Sequence, residues 1–179
     1  MSELLPAQSA HQLFKKTQFI HQEPFEIGSE KLGFSEAVDL IAPRLTKERV
    51  AKIERVLDWR TFDVVPVLEN IYDRGNISAV MRSCEAFGFL QVQIIEPVQS
   101  QFKAANRVTR GAEKWLDVQV HEDGSSCLQN LRSQGFQILA TQLGAKRSLS
   151  EVDFTRPTAI IFGNEKEGVS QEALRFTDG

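Results

Sequence analysis

Five apolar segments that alternate with helical patterns constrain the fold of this chain more than any other feature of its sequence. The five segments are Val64–Leu68, Val92–Ile95, Leu116–Val120, Phe136–Thr141 and Thr158–Phe162. Several are continuously apolar, as strands buried on both faces of a parallel sheet are. The alternation predicts an α/β domain with a mostly parallel sheet and helices on both faces. Pro66 in the first segment offers no ladder donor and predicts an edge position or an irregularity there.

The helix after the first strand has clear signals at both ends. Asn76 is its predicted N-cap, and Gly88 stands where a glycine commonly ends a helix. Its predicted apolar face consists of Ile77, Val80, Met81, Cys84 and Phe87. Arg82 is offset from this face and is expected to project towards a cleft.

Weaker signals predict the other helices. One begins after Thr46 as its N-cap and continues to about Arg60. Another covers about residues 125–135, and a further one opens at Ser170. The first 43 residues show no sustained period, so no regular element is predicted in them. We therefore expect an N-terminal extension over residues 1–45 and one domain over residues 46–179.

Composition argues against several classes of protein. The three histidines are scattered, and Cys84 and Cys127 lie in separate predicted helices without CxxC spacing. We expect no metal site and two buried thiols. No segment approaches the roughly 20 apolar residues of a membrane helix, and the start lacks a signal-peptide pattern, so we expect a cytoplasmic protein without a membrane partner.

The net charge of -3 does not by itself indicate nucleic-acid binding. The first 43 residues hold three lysines and six acidic residues, so the remainder is neutral and carries local basic clusters. The acidity therefore belongs to the predicted extension.

Two loops that follow predicted strands are unusual in composition. Ligands of α/β sheets bind at the carboxyl ends of the strands, which is where both loops lie. The first reads ENIYDRGN from Glu69 to Asn76, and the second reads GNEKEGVS from Gly163 to Ser170. Neither contains a phosphate-binding GKS/T or a GxGxxG pattern.

These loops carry a resemblance to a known family. The stretch ENIYDRGNISAVMRSCEAFGF is similar to the first motif of the SpoU/TrmH family of RNA 2′-O-ribose methyltransferases, with matches at Asn70, Asn76, Arg82, Ala86 and Gly88. The stretch AIIFGNEKEGVSQEAL resembles the second motif, with matches at Gly163, Glu165, Gly168 and Ser170. GAEKWLDV, residues 111–118, looks like the tRNA-modifying TrmH branch.

The resemblance implies a trefoil-knotted SPOUT fold, S-adenosylmethionine as methyl donor, and a ribose hydroxyl as acceptor, most closely that of guanosine-18 in tRNA. It implies that Arg82 is catalytic, either as a base or by stabilising the developing alkoxide. Asn76 would shape the pocket, and Glu165 would hydrogen-bond cofactor or RNA. The implied cofactor-binding residues are Thr141, Phe162, Gly163, Asn164 and Gly168.

Basic clusters are the expected RNA contacts under the same resemblance. The first cluster lies on the first helix and comprises Arg49, Lys52, Arg55 and Arg60. The second follows the second strand and comprises Lys103, Arg107, Arg110 and Lys114.

Family members continue with a third motif that threads the knot and completes the cofactor cleft and the homodimer interface. The sequence ends at Gly179 before such a motif, so we expect the knot-forming part to be absent and both dimerisation and cofactor binding to be weak. Two alternatives to a tRNA methyltransferase stay open: a catalytically silent RNA-binding module, and a methyltransferase that acts on rRNA.

Overall fold

The computed structural model describes residues 25–27, 29–97, 109 and 111–178, and it separates the chain into two compact units. The first unit reaches Arg60, and the second begins at Thr61. The boundary predicted after residue 45 groups the first long helix with the larger domain. That grouping stays a prediction.

The described part of the first unit contains a hairpin and two helices. Strands β1 (Phe25–Ile27) and β2 (Glu30–Leu32) pair antiparallel and are followed by helix α1 (Phe34–Ile41). Helix α2 (Lys47–Leu57) confirms the first predicted helix, and the Thr46 side chain accepts a hydrogen bond from the Arg49 N–H at 3.2 Å. The hairpin and α1 were not predicted from the sequence.

A five-stranded parallel sheet forms the described core of the second unit. Its strands are β3 (Val64–Glu69), β4 (Gln91–Ile95), β5 (Asp117–His121), β6 (Gln137–Ala140) and β7 (Thr158–Phe162). They pair in the order β5-β4-β3-β7-β6, and every pairing is parallel. All five predicted strands are confirmed, as is the α/β class.

Pro66 lies on the central strand of the sheet, so the predicted edge position is wrong. The ladder between β3 and β4 begins one residue later, at Val67, which pairs with Gln93. Val64, Val65 and Pro66 are all outside that ladder, whereas Pro66 pairs with Ile160 in the ladder between β3 and β7.

Helices pack on both faces of the sheet. Helix α3 (Arg74–Phe87) lies on one face and buries Ile77, Met81 and Cys84 against strands β3 and β4. Helices α4 (Gly124–Ser133) and α5 (Gln171–Leu174) cover the other face. The hydrophobic core on this second face includes Val65, Val67, Cys127, Leu128, Leu131, Ile138, Ala159 and Ile161.

Two details of α3 correct the sequence prediction. Its N-cap is Asp73, whose side chain accepts the Gly75 N–H at 2.7 Å, so Asn76 lies inside the first turn. Phe87 is 76% exposed and does not belong to the buried face. Gly88 does end the helix, with a φ of 81°.

Burial agrees with the predicted roles of the two cysteines. Cys84 and Cys127 are both buried, and desolvation raises the pKa of their thiols to about 11 and about 12. Helices in the described ranges are all too short or too polar to cross a membrane. Across those same ranges, no group of three or more His, Cys, Asp or Glu side chains is arranged to hold a metal ion.

Candidate active site

The two polar loops meet at the carboxyl edge of the sheet because β3 and β7 are adjacent parallel strands. The loop after β3 spans residues 70–73 and leads into α3. The loop after β7 spans residues 163–170 and leads into α5. Hydrogen bonds between side chains and backbone join the two loops in both directions.

Glu165 binds the first loop through three hydrogen bonds. Its carboxylate accepts the Tyr72 N–H at 2.9 Å, the Asp73 N–H at 3.2 Å and the Asn76 side-chain amide at 2.8 Å. The Tyr72 N–H, followed by the Asn76 amide, lowers the pKa of Glu165 from 4.5 to about 2. Glu165 is therefore an anion at the N-terminus of α3, where the helix dipole favours negative charge.

Glu69 makes the reverse connection, from the end of β3 to the second loop. Its carboxylate is 5% exposed and accepts the Ser170 N–H at 2.9 Å and the Ser170 hydroxyl at 2.6 Å. The same hydroxyl oxygen accepts the Ala173 N–H at 3.1 Å and caps α5. We call Glu69, Glu165 and their partners the reciprocal clamp, since each strand's carboxylate holds the N-terminus of the other strand's helix.

Asn164 adds a third connection. Its side-chain amide donates to the Asn70 carbonyl at 2.7 Å, and its side-chain oxygen accepts the Lys166 and Glu167 N–H groups at 2.9 and 3.2 Å. Asn70 has a φ of 51°, a left-handed conformation that asparagine tolerates better than most residues. Asn164 therefore shapes its own turn and holds the neighbouring one.

Steric constraints explain one glycine of the second motif. A Cβ on Gly163 would lie 2.1 Å from the Gly168 carbonyl carbon and 2.2 Å from the Val169 nitrogen, which no backbone adjustment of ordinary size could accommodate. Gly168 has a φ of 72°, which favours glycine for a different reason. The loop is closed tightly on itself at the end of β7.

Other residues that the resemblance assigns to the cofactor lie along the same edge. Thr141 follows β6, and both its N–H and its hydroxyl donate to the Ile161 carbonyl, at 3.0 and 3.1 Å. Phe162 ends β7 with a side chain that is 37% exposed. The structure therefore brings Thr141 and Phe162 together with Gly163 and Asn164 at the ends of two adjacent strands.

Arg82 lies outside the hydrogen-bond network of Glu165. It is exposed on α3 and lines a cavity of about 310 Å³. The other lining residues are Glu85, Ala86, Thr109, Gly111, Ala112 and Trp115. Within the described ranges its guanidinium has no hydrogen-bond or ion-pair partner, so its donors are available to an anionic ligand.

The expected RNA contacts fall in three places. Arg49, Lys52 and Arg55 are exposed on α2, and Arg60 is half-buried after it; all four belong to the first unit. Lys114 is exposed in a 3₁₀ helix (Ala112–Trp115) that borders the Arg82 cavity. Lys103, Arg107 and Arg110 lie outside the described residues.

A second, acidic cavity of about 240 Å³ lies at the carboxyl edge and was not predicted from the sequence. Its carboxylates are those of Glu69, Glu96, Glu122 and Glu172. Two of them have partners of their own: Glu96 pairs with Arg74 at 2.6 Å, and Glu172 accepts the Ser125 hydroxyl at 2.6 Å. The signal that could have identified Glu69 is its position, directly before the first motif asparagine at the end of a buried strand.

A parallel α/β domain with two interlocked polar loops at one carboxyl edge has the architecture of a ligand-binding sheet enzyme. The model of the SpoU rRNA Methylase family matches residues 63–179, and the chain belongs to this family.

Proteins similar to this chain come from several bacteria. The tRNA (guanosine(18)-2′-O)-methyltransferase of Thermus thermophilus is 39% identical over 135 residues, which cover 75% of this chain and 69% of that protein. The protein of the same name from Escherichia coli is 34% identical over 73% of this chain and 57% of its own length.

Solved structures share the fold. The crystal structure of the TrmH/SpoU tRNA modifying enzyme of A. aeolicus superimposes with a TM-score of 0.67 at 32% identity, covering 74% of this chain and 68% of that one. An rRNA methyltransferase from Sinorhizobium meliloti has a TM-score of 0.59 at 17% identity, with 79% of this chain and 66% of that chain covered, and supports the fold alone.

Proposed function

We propose that this chain transfers a methyl group from S-adenosylmethionine to the ribose 2′-hydroxyl of guanosine-18 in tRNA. Relatives with 32–39% identity carry this activity in their names. The observation that carries the proposal is the reciprocal clamp, because it holds both motif loops at one edge beside the helix that bears Arg82. A cytoplasmic location accompanies the proposal as a prediction, whereas a homodimer is predicted for full-length members of the family and only weak dimerisation for this chain.

The charge on Glu165 fixes the orientation of the Asn76 amide. A carboxylate only accepts hydrogen bonds, so Asn76 must present its NH₂ group to Glu165 and its carbonyl oxygen away from it. Across the described residues, nothing donates to that oxygen. We assign it the role of accepting a hydrogen bond from the substrate, with the ribose hydroxyl as the donor.

Arg82 supplies positive charge to the same substrate in this proposal. It follows Asn76 by six residues, or about 9 Å along the helix axis, and side chains of a helix lean towards its N-terminus. Negative charge develops on the hydroxyl oxygen as its proton passes to solvent, and this charge is used up when the oxygen takes the methyl group and S-adenosylhomocysteine leaves. A guanidinium stabilises this charge without having to accept the proton.

The residues at the ends of β6 and β7 fit a bound S-adenosylmethionine. Phe162 offers an aromatic surface that is partly open, and Gly163 lets the loop after β7 close tightly next to it. Thr141 lies next to these residues, at the end of the neighbouring strand β6. When bound, the cofactor supplies an electrophilic methyl group.

Deletion of the gene in its host tests the proposal. Methylation of guanosine-18 would be mapped by primer extension at low nucleotide concentration and by mass spectrometry of tRNA digests. We expect the modification to disappear in the deletion strain, to return with the wild-type gene, and to stay absent with Arg82→Ala.

Arg156→Ala is the matched control because Arg156 is also exposed but precedes β7, at the opposite edge of the sheet. It should restore methylation fully. Persistence of the guanosine-18 methyl group in the deletion strain would contradict the proposal, and loss of a ribose methyl group from rRNA instead would favour the rRNA alternative.

A further inference from the structure

Tyr72 is an exposed aromatic side chain on the first motif loop. It is 77% exposed, although its backbone is held in place by the N–H donated to Glu165 at 2.9 Å. Its neighbour Asn70 is held by Asn164 at 2.7 Å. An aromatic ring that stays in water on a fixed backbone contributes little burial to folding, so its position suits a ligand rather than the core.

Lys166 approaches the same ring from the second motif loop. Its ammonium nitrogen lies 5.4 Å from the centroid of the Tyr72 ring, within the range of a cation–π contact. The Lys166 N–H donates to the Asn164 side-chain oxygen at 2.9 Å, so the backbone of the lysine is held within the same loop. One cation covers at most one face of a planar ring, and the exposure of Tyr72 leaves ring surface for another contact.

Two carboxylates near Lys166, those of Glu165 and Asp73, repel an anionic ligand less than free carboxylates would. Glu165 is occupied by three N–H donors, and one oxygen of Asp73 accepts the Gly75 N–H. Both lie at the N-terminus of α3, whose dipole offsets part of their charge. The ammonium of Lys166 therefore remains able to attract a phosphate at this surface.

We propose that Tyr72 and Lys166 form a platform for single-stranded RNA, on which the base of a nucleotide next to the methylated one stacks while Lys166 binds a backbone phosphate. Stacking on an aromatic ring beside a cation is how proteins hold unpaired nucleotides without reading their sequence. The inference rests on the proposed function, since it takes a nucleotide flanking guanosine-18 as the occupant.

Substitutions of Tyr72 test the stacking contact in filter-binding and methylation assays with tRNA. Tyr72→Ala should raise Kd by roughly 5- to 150-fold, the loss expected for one stacked base. Tyr72→Phe should stay within about twofold of wild type because it keeps the ring. Since stacking would act equally in the ground and transition states, KM should rise while kcat stays unchanged.

A fluorescent base can report the stack directly. A tRNA transcript with 2-aminopurine at the position before or after guanosine-18 should lose fluorescence on binding the wild-type protein, and should not do so with Tyr72→Ala. Phe154→Ala serves as the control, since Phe154 is also exposed but lies before β7 at the opposite edge. It should leave the fluorescence change intact.

Substitution of Lys166 tests the phosphate contact. Lys166→Met should reduce the slope of log Kd against log salt by roughly 0.7 to 0.9, the value for one lost contact. Arg156→Met should leave that slope unchanged because Arg156 lies at the far edge of the sheet.

These measurements separate the platform from the methylation assignment. Unchanged Kd, KM and fluorescence in Tyr72→Ala would overturn the platform even if guanosine-18 is the confirmed target. A change confined to self-association or thermal stability would also overturn it, because Tyr72 would then contact protein. If guanosine-18 stays methylated without the gene, the proposed function fails. The platform can still be tested by comparing the Kd of a single-stranded oligonucleotide for the wild type and for Tyr72→Ala.

Discussion

Replacement of Glu165 by glutamine removes the charge of one half of the reciprocal clamp and keeps its size. The carboxylate accepts three N–H groups, whereas a glutamine has one acceptor oxygen and turns an NH₂ group towards at least one of those donors. Where that NH₂ group faces Asn76, a hydrogen bond requires Asn76 to rotate its amide and turn its own NH₂ group towards the substrate. The variant therefore alters both the loop contact and the polarity of the proposed site.

The pKa of Glu165 sets the expected loss of stability. Its fall from 4.5 to about 2 would correspond to about 3 kcal/mol in a buried site. Glu165 is exposed, so solvent screening reduces the expected contribution to about 1 kcal/mol. Because the folded state favours the anion, this stability is fully present above pH 4.5 and is lost as the pH falls towards 2.

Denaturant unfolding at several pH values, together with a methylation assay, measures both effects. Glu165→Gln should lower the free energy of unfolding by about 1 kcal/mol at pH 7, and the difference should shrink below pH 4.5. Misorientation of Asn76 should reduce kcat on the order of 10- to 100-fold.

Glu167→Gln is the matched control for this substitution. Glu167 is exposed on the same loop, and its carboxylate accepts no hydrogen bond within the described ranges. It should change neither stability nor kcat. If Glu165→Gln were as active and as stable as this control at pH 7, or if its stability difference persisted at about pH 2, the clamp would not have the role assigned to it.

Three further predictions concern Arg82, the second motif loop and the basic residues of α2. Arg82→Ala should reduce methyl transfer on the order of 10²-fold or more with an unchanged melting temperature, because its exposed guanidinium supports charge development and not the fold; activity within a few-fold of wild type would contradict this. Gly163→Ala should destabilise the fold by about 3 kcal/mol in urea unfolding, since its Cβ would overlap backbone, whereas Gly144→Ala, with open space around it, should cost about 1 kcal/mol. Joint neutralisation of Arg49, Lys52 and Arg55 should weaken binding of all tRNAs alike and flatten its salt dependence; an unchanged salt slope would show that these residues form only a solvated helix face.

The sheet was predictable from the sequence because parallel strands that are buried on both faces have nearly continuous apolar sequences. The central position of the strand that contains Pro66 was not predictable, since the missing N–H donor does not show which strand of the sheet carries the proline. The hairpin of the first unit was missed because strands of three residues are too short to show alternation.

Helix α3 illustrates the limit of local patterns. Asp73 and Asn76 are both good N-cap residues, and the sequence could not show that Asn76 has a partner 89 residues away. Helical spacing placed Phe87 on the buried face, but the helix ends at this residue and the ring is left in solvent. The resemblance located the motif residues and could not give their contacts.

The reciprocal clamp gives a physical reason for two motifs that lie about 90 residues apart. Glu69 binds the N-terminus of α5, and Glu165 binds the N-terminus of α3, so each motif supplies a carboxylate that stabilises the other motif's helix start. Both carboxylates satisfy backbone N–H groups that a helix leaves without partners at its start. Loss of either carboxylate should therefore loosen both loops, and the binding surface that Tyr72 and Lys166 share would be lost with them.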